Sequence, residues 1–174
     1  MIQRHSSRRS RLDQTVFSQR LTGAASCDRI AGFFRSSLFE VAGEAINSVI
    51  GPVRIICNSD LDPQDLITAA AQAALRRSWC AGKPEAAPPA ALPRYQALYA
   101  ALTSKKMTVR VLPDSAFGLI HGKAGVIRRA DGSASAFLGS VNESLTAWKL
   151  NYELLWEDDA PDTIAWVQEE FDTL

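Results

Sequence analysis

Gly118-Leu-Ile-His121-Gly-Lys123-Ala-Gly-Val-Ile-Arg128-Arg129-Ala-Asp131-Gly132-Ser-Ala-Ser-Ala-Phe-Leu-Gly139-Ser140-Val-Asn142 contains two short apolar runs joined by a polar turn. Ala124–Arg128 and Ala134–Leu138 are predicted strands, and the Asp-Gly pair between them is a strong hairpin signal. On a strand, His121 and Lys123 would point to one face. The second strand runs out into Gly139-Ser140-x-Asn142, where glycine permits close backbone approach and Ser and Asn supply uncharged donors. A nucleophile and a cation on one strand, facing hydroxyl and amide donors on its neighbour, make a plausible phosphate cradle.

Around this hairpin the chain alternates. Ile30–Phe34 reads as a short buried strand, and Leu38–Val49 carries apolar residues at helical spacing up to Gly51-Pro52. Val53–Cys57 is rich in β-branched residues and reads as a strand. A helix follows from Asp62-Pro63 to about Cys80, with proline at its first position. A Pro/Ala-rich internal loop covers residues 81–93, then come a helix over Arg94–Ser104 and a strand over Thr108–Leu112. Phe117–Ile120 is a further apolar run. After the hairpin, Asn142–Leu150 is a short helix or loop, Tyr152–Trp156 a strand and Asp162–Leu174 an amphipathic helix. Strands and helices in this order predict an α/β fold, a three-layer α/β/α sandwich on a mixed sheet. Residues 1–12 read as a basic, flexible N-terminal arm ahead of one domain over residues 13–174.

The 174 residues carry 19 basic and 19 acidic side chains, which excludes a uniformly basic nucleic-acid coat. The balance conceals two poles. Residues 1–35 hold seven Arg against Asp13 and Asp28, and residues 152–174 hold eight acidic residues and no Lys or Arg. The three cysteines are scattered without a CxxC pair, a poor disulfide framework that fits a reducing cytoplasm. The two histidines and these cysteines lack zinc-ligand spacing, so neither a metal nor another cofactor is expected. No apolar run reaches the ~20 residues of a membrane span.

His121-x-Lys123, Gly139-Ser140-x-Asn142 and Asn151-x-Glu153 together resemble the signature of the phospholipase D superfamily. Arg29–Phe34 and Val53–Asp60 look like the opening strands of such modules, which often stand at the front of prokaryotic DEAD/DEAH or Swi/Snf-type helicases, including defence systems. The resemblance implies metal-independent phosphodiester hydrolysis through a phosphohistidine on His121, with nucleic acid as the leading substrate. It implies that Lys123, Ser140 and Asn142 hold the phosphate and that Glu153 supports the histidine. Because the chain has one His-x-Lys, it also implies a homodimer whose active-site faces meet, each copy supplying a His121, the alternative being a second half in a longer parent chain. The basic pair Arg128-Arg129 is the candidate for further phosphate or nucleic-acid contacts. The family places an Asp five residues after the Lys, where this chain has Arg128. That departure favours an alternative, a weak or inactive phosphate- and DNA-binding dimerisation module. A lipid phosphodiesterase is the weaker reading, since no amphipathic or aromatic membrane surface stands out.

Overall fold

In the computed structural model, which describes residues 1–58, 92–112, 116 and 120–174, the hairpin lies in the middle of a seven-stranded mixed sheet. The strands are β1 (Gln3–Ser6), β2 (Ala24–Ile30), β3 (Val53–Asn58), β4 (Met107–Leu112), β5 (Lys123–Arg129), β6 (Ala134–Gly139) and β7 (Leu154–Asp158). Their order is β1-β7-β6-β5-β2-β3-β4. β2, β3 and β4 run parallel, whereas β5, β6, β7 and β1 add antiparallel steps. The described helices are α1 (π-helical turns Asp13–Ser18 running into Gln19–Leu21), α2 (Leu38–Ser48), α3 (Leu92–Thr103), α4 (Leu145–Lys149) and α5 (Pro161–Thr173).

Helices cover both faces, as the three-layer α/β fold requires. α2 buries Leu38, Phe39, Ala42, Ala45 and Ile46, one stripe at helical period, into the main core with Val53, Ile55, Ile127, Phe137 and Trp148. On the opposite face α5 lays Val167 on Val126 and Ala136, and Phe171 on Ile30 and Ile56. The hairpin closes as its sequence predicts. Gly132 takes φ +85°, and the Asp131 carboxylate accepts from the Ser133 amide and hydroxyl. Cys27 and Cys57 are free and buried, and burial pushes their thiols up to about 12 and about 11.

Three elements differ from the expectation. The strand expected at Ile30–Phe34 lies upstream, at Ala24–Ile30, because the amides of Gly32 and Phe33 donate to the Asn142 side chain instead of a ladder. The N-terminal arm is not free over its whole length. Residues 3–6 pair with β7, whose outer edge would otherwise present unpaired backbone groups, and the Ser7 hydroxyl donates to the Asn151 carbonyl. Residues 13–21 form a helix that buries Val16, Phe17 and Leu21, with Leu12 just ahead of it also buried. The helix expected over Asp62–Cys80, most of the 81–93 loop and all but Ile120 of the Phe117–Ile120 run lie outside the described residues.

Candidate active site

The sequence-predicted residues meet at one end of the sheet, where β5 begins, β6 ends and β7 begins. Lys123 opens β5 opposite Gly139, the last residue of β6. Its side chain is buried, and Nζ donates to the His121 carbonyl at 2.6 Å. His121 lies just before the strand and is exposed, so the two side chains do not share one environment as strand alternation alone would suggest.

Asn142 is held from the far side. Its Oδ1 accepts from the Gly32 amide at 2.9 Å and the Phe33 amide at 3.4 Å, which leaves the NH2 end of the carboxamide as donor. Gly32 is the hinge of this arrangement. A Cβ there would stand 2.8 Å from Asn142 Oδ1 and 3.1 Å from Lys123 Nζ, so only glycine lets the cation and the carboxamide converge. Neither strand periodicity nor the paired motifs singled out Gly32.

Ser140 and Glu153 form the second half. The Ser140 hydroxyl donates to the Glu153 carboxylate and accepts from the Leu154 amide at 3.1 Å. The other Glu153 oxygen accepts from Asn151 Nδ2 at 3.2 Å. Glu153 therefore meets Ser140 and Asn151 in this chain, and not His121. Its charge still reaches Lys123. Desolvation lowers the Lys123 pKa below its ordinary value, and the Glu153 carboxylate opposes that shift. The result is a buried ammonium with no ion pair among the described residues, beside neutral donors and an exposed imidazole. Groups of this kind have the chemistry to bind a tetrahedral anion and to supply a nitrogen nucleophile.

Arg128 and Arg129 lie apart from it. At ~3.3 Å per strand residue, Arg128 is about 17 Å along β5 from Lys123. Its side chain meets Gln168 of α5 at 2.7 Å and lies 3.9 Å from the buried Asp28, on the sheet face opposite the main core. Arg129 donates to Ser135 at 3.1 Å and Glu157 at 3.3 Å. His5 stands in the same cluster, 3.6 Å from Glu157.

Comparison with known proteins bears on the fold and the family. No protein of curated function matches the chain. Among solved structures it is similar to NucT from Helicobacter pylori, at 16% identity and a TM-score of 0.55, covering 99% of this chain and 95% of that one. It is similar to Nuc from Salmonella typhimurium, a phospholipase D family member, at 14% identity and 0.59, covering 99% and 92%. It is also similar to TrmBL2, an archaeal chromatin protein, at 14% identity and 0.50, covering 99% of this chain and 50% of that one. These likenesses carry the fold. The model of the cardiolipin synthase, phospholipase D-like domain matches residues 51–174, a span that covers most of the chain, and the chain belongs to that phospholipase D-like family.

Proposed function

We propose that this protein hydrolyses phosphodiester bonds of nucleic acid without a metal, through a phosphohistidine intermediate at a site that two copies share. The observation that carries the reading is the convergence of Lys123 Nζ and the Asn142 carboxamide over Gly32, next to the exposed His121. Membership of the phospholipase D-like family supports the phosphodiester chemistry.

In the first step a ring nitrogen of His121 attacks phosphorus. The new P–N bond forms as the bond to the leaving oxygen breaks, and that oxygen takes a proton from the protonated His121 of the second copy. The second imidazole, now neutral, takes a proton from water. The hydroxide so formed attacks phosphorus and releases the first histidine. Lys123 and the Asn142 amide stabilise charge on the non-bridging oxygens in both steps, and the Ser140 hydroxyl joins them when it rotates from Glu153 to the phosphate. Glu153 orients Ser140 and supports the charge of Lys123. His5, the chain's other histidine, cannot take the second role from the Glu157 cluster, because its Nε2 is buried there. Leu138, Leu154 and Trp156, 39%, 45% and 53% exposed, share the sheet face on which α5 packs over β5, β6 and β2. They adjoin Ser140 and Glu153, and we assign that surface to the second copy. We read the module as a partner, in the same chain or another, of a helicase.

Two observations favour a second reading, a module that binds backbone phosphate without cutting it. Glu153 makes no contact with His121 within one chain, and TrmBL2, described as a DNA-binding chromatin protein, shares the fold.

The test is cleavage of labelled single- and double-stranded DNA in EDTA, wild type beside His121→Ala, with mass measured by sedimentation. The expected result is a wild-type dimer that cuts in EDTA and a variant dimer that does not. Cutting that survives in the variant, or that EDTA abolishes in the wild type, overturns the reading. A folded dimer that binds DNA and never cuts it establishes the second one.

A further inference from the structure

We infer that Arg29 and Glu143 form a clamp that positions Asn142 in the cradle. The inference rests on the reading of Lys123 and Asn142 as phosphate ligands; neither clamp residue touches the phosphate.

Arg29 is one of the largest fully buried side chains, with 2% of its side chain exposed, and Glu143 shows 1%. Arg29 Nε donates to the Glu143 carboxylate, and Nη2 donates to the Val141 carbonyl at 2.8 Å. One guanidinium therefore holds the residue before Asn142 and the residue after it. The guanidinium lies 4.4 Å from the centre of the Phe137 ring, a stacking position that fixes its plane. The Phe137 ring in turn packs over Gly125, where a Cβ would stand 2.6 Å from its tip. Gly125 is the register partner of Arg29. The main chain completes the hold: the Glu143 carbonyl accepts from the Arg35 amide at 2.9 Å, and the Asn142 carbonyl accepts from Ser144, which caps α4. These bonds tie the Ser140–Ser144 segment to the chain that leaves β2, which supplies the two amides that seize Asn142 Oδ1.

A buried ion pair is a poor device for stability alone, since apolar residues of the same volume serve as well or better. It is directional, however. Two bonds from one rigid fork fix the Val141–Asn142 peptide plane and the Glu143 side chain, which apolar packing does not do. The same fork brings a positive charge near Lys123 and helps lower its proton affinity.

The test replaces both partners together, Arg29→Met with Glu143→Leu, so that no lone charge is left buried. Two readouts are taken. The first is amide exchange at Gly32 and Phe33, the donors to Asn142, against Val126 and Ala136 in the hairpin. The clamp predicts exchange about tenfold faster at the first pair only. The second is kcat and KM for DNA cleavage, in wild-type and Asn142→Ala backgrounds. The expected result is a kcat about a hundredfold lower with KM little changed. No further loss is expected once Asn142 is already alanine, because the clamp acts through that residue. Unchanged protection at Gly32 and Phe33, or losses that multiply in the Asn142→Ala background, would overturn the clamp. If the wild type cuts nothing, the hydrolase reading fails, and the exchange readout still decides the clamp. If the double variant does not fold, Glu143→Gln takes its place. It keeps an acceptor for Nε, so exchange at Gly32 and Phe33 between wild-type rates and free opening supports the clamp, and wild-type exchange overturns it.

Discussion

Glu153 and Glu157 stand four residues apart, one just before β7 and one within it, both buried and both on the side of the main core. Their surroundings could hardly differ more. Glu157 lies 2.9 Å from Arg20 and 3.3 Å from Arg129, accepts from the Ser135 hydroxyl at 2.7 Å, and has His5 at 3.6 Å. Two guanidinium groups saturate its charge. Glu153 is met by a hydroxyl and a carboxamide, with no arginine. The cation that feels it, Lys123, is near but not bonded to it. A carboxylate matched by guanidiniums closes a site and joins α1, β1, β5, β6 and β7 into one unit. A carboxylate met by neutral donors leaves a neighbouring ammonium uncommitted, and on the function proposed above that ammonium meets the incoming phosphate.

The comparison breaks most sharply at Lys123. Lys123→Met is expected to lower kcat/KM for DNA cleavage about 10³-fold, the scale of losing a preorganised donor to a developing oxyanion. Stability should be retained or gained, because the substitution removes a desolvated charge. The pH dependence follows from its sign. Folding lowers the Lys123 pKa below its ordinary 10.5, so the unfolded chain binds the extra proton between the folded value and 10.5. Wild-type stability therefore rises with pH across that window, and the advantage of Lys123→Met shrinks. Urea melts of both proteins at neutral pH and near pH 10 check this. A variant less stable than wild type at pH 7 would show that Lys123 is paired after all.

Glu157→Gln tests the closed half. Removing one partner of a buried charge cluster leaves Arg20 and Arg129 uncompensated, and a loss of about 3 kcal/mol is expected. Per-molecule cleavage by the folded fraction should match wild type, since the cluster lies away from Lys123. Denaturant melts and active-site-normalised rates measure the two effects. A cleavage loss with stability intact would reverse the roles assigned to the two carboxylates.

Much of this was legible in the sequence, for physical reasons that can be located. The Asp-Gly turn, the β-branched Val53–Cys57 run and the Leu38–Val49 stripe are local signals, and each became the expected element. The paired motifs brought Lys123, Ser140, Asn142 and Glu153 to one end of the sheet, because adjacent strands in register juxtapose what the motifs carry. What the sequence hid was partnership at long range. Nothing in residues 1–12 shows that β7 has an open edge, or that Glu157 needs His5 and Arg20. Arg29 stands next to Asp28 at the head of an apolar run, yet its buried partner lies 114 residues away. Likewise Gly32 has no local signature beyond its absent side chain; its role appears only when Asn142 and Lys123 close over it.

Arg128 is the smallest and last test, and it bears on the residue that distinguishes this chain from its family. Its position on β5 puts it on the face opposite the main core, where Asp28 already accepts from Nε and Nη2 of Arg54, at 2.7 and 2.6 Å. Arg128 is a second cation beside a satisfied carboxylate, partly exposed, with Gln168 as its nearer partner. Such a pair contributes little, about 0.5 kcal/mol. Arg128→Ala is therefore expected to shift stability by about that much and to leave the cleavage rate within about twofold, because the side chain never approaches Lys123. Arg128→Asp, which restores the family's residue type, should not raise the rate. It places a carboxylate beside Asp28, and like charges there destabilise the pairing of β5 with β2. A marked gain in cleavage by Arg128→Asp would show that this position governs the site across the sheet. The absence of one would locate the cost of the departure in the α5 face alone, leaving the Lys123–Asn142 cradle as the part of the molecule that decides whether DNA is cut.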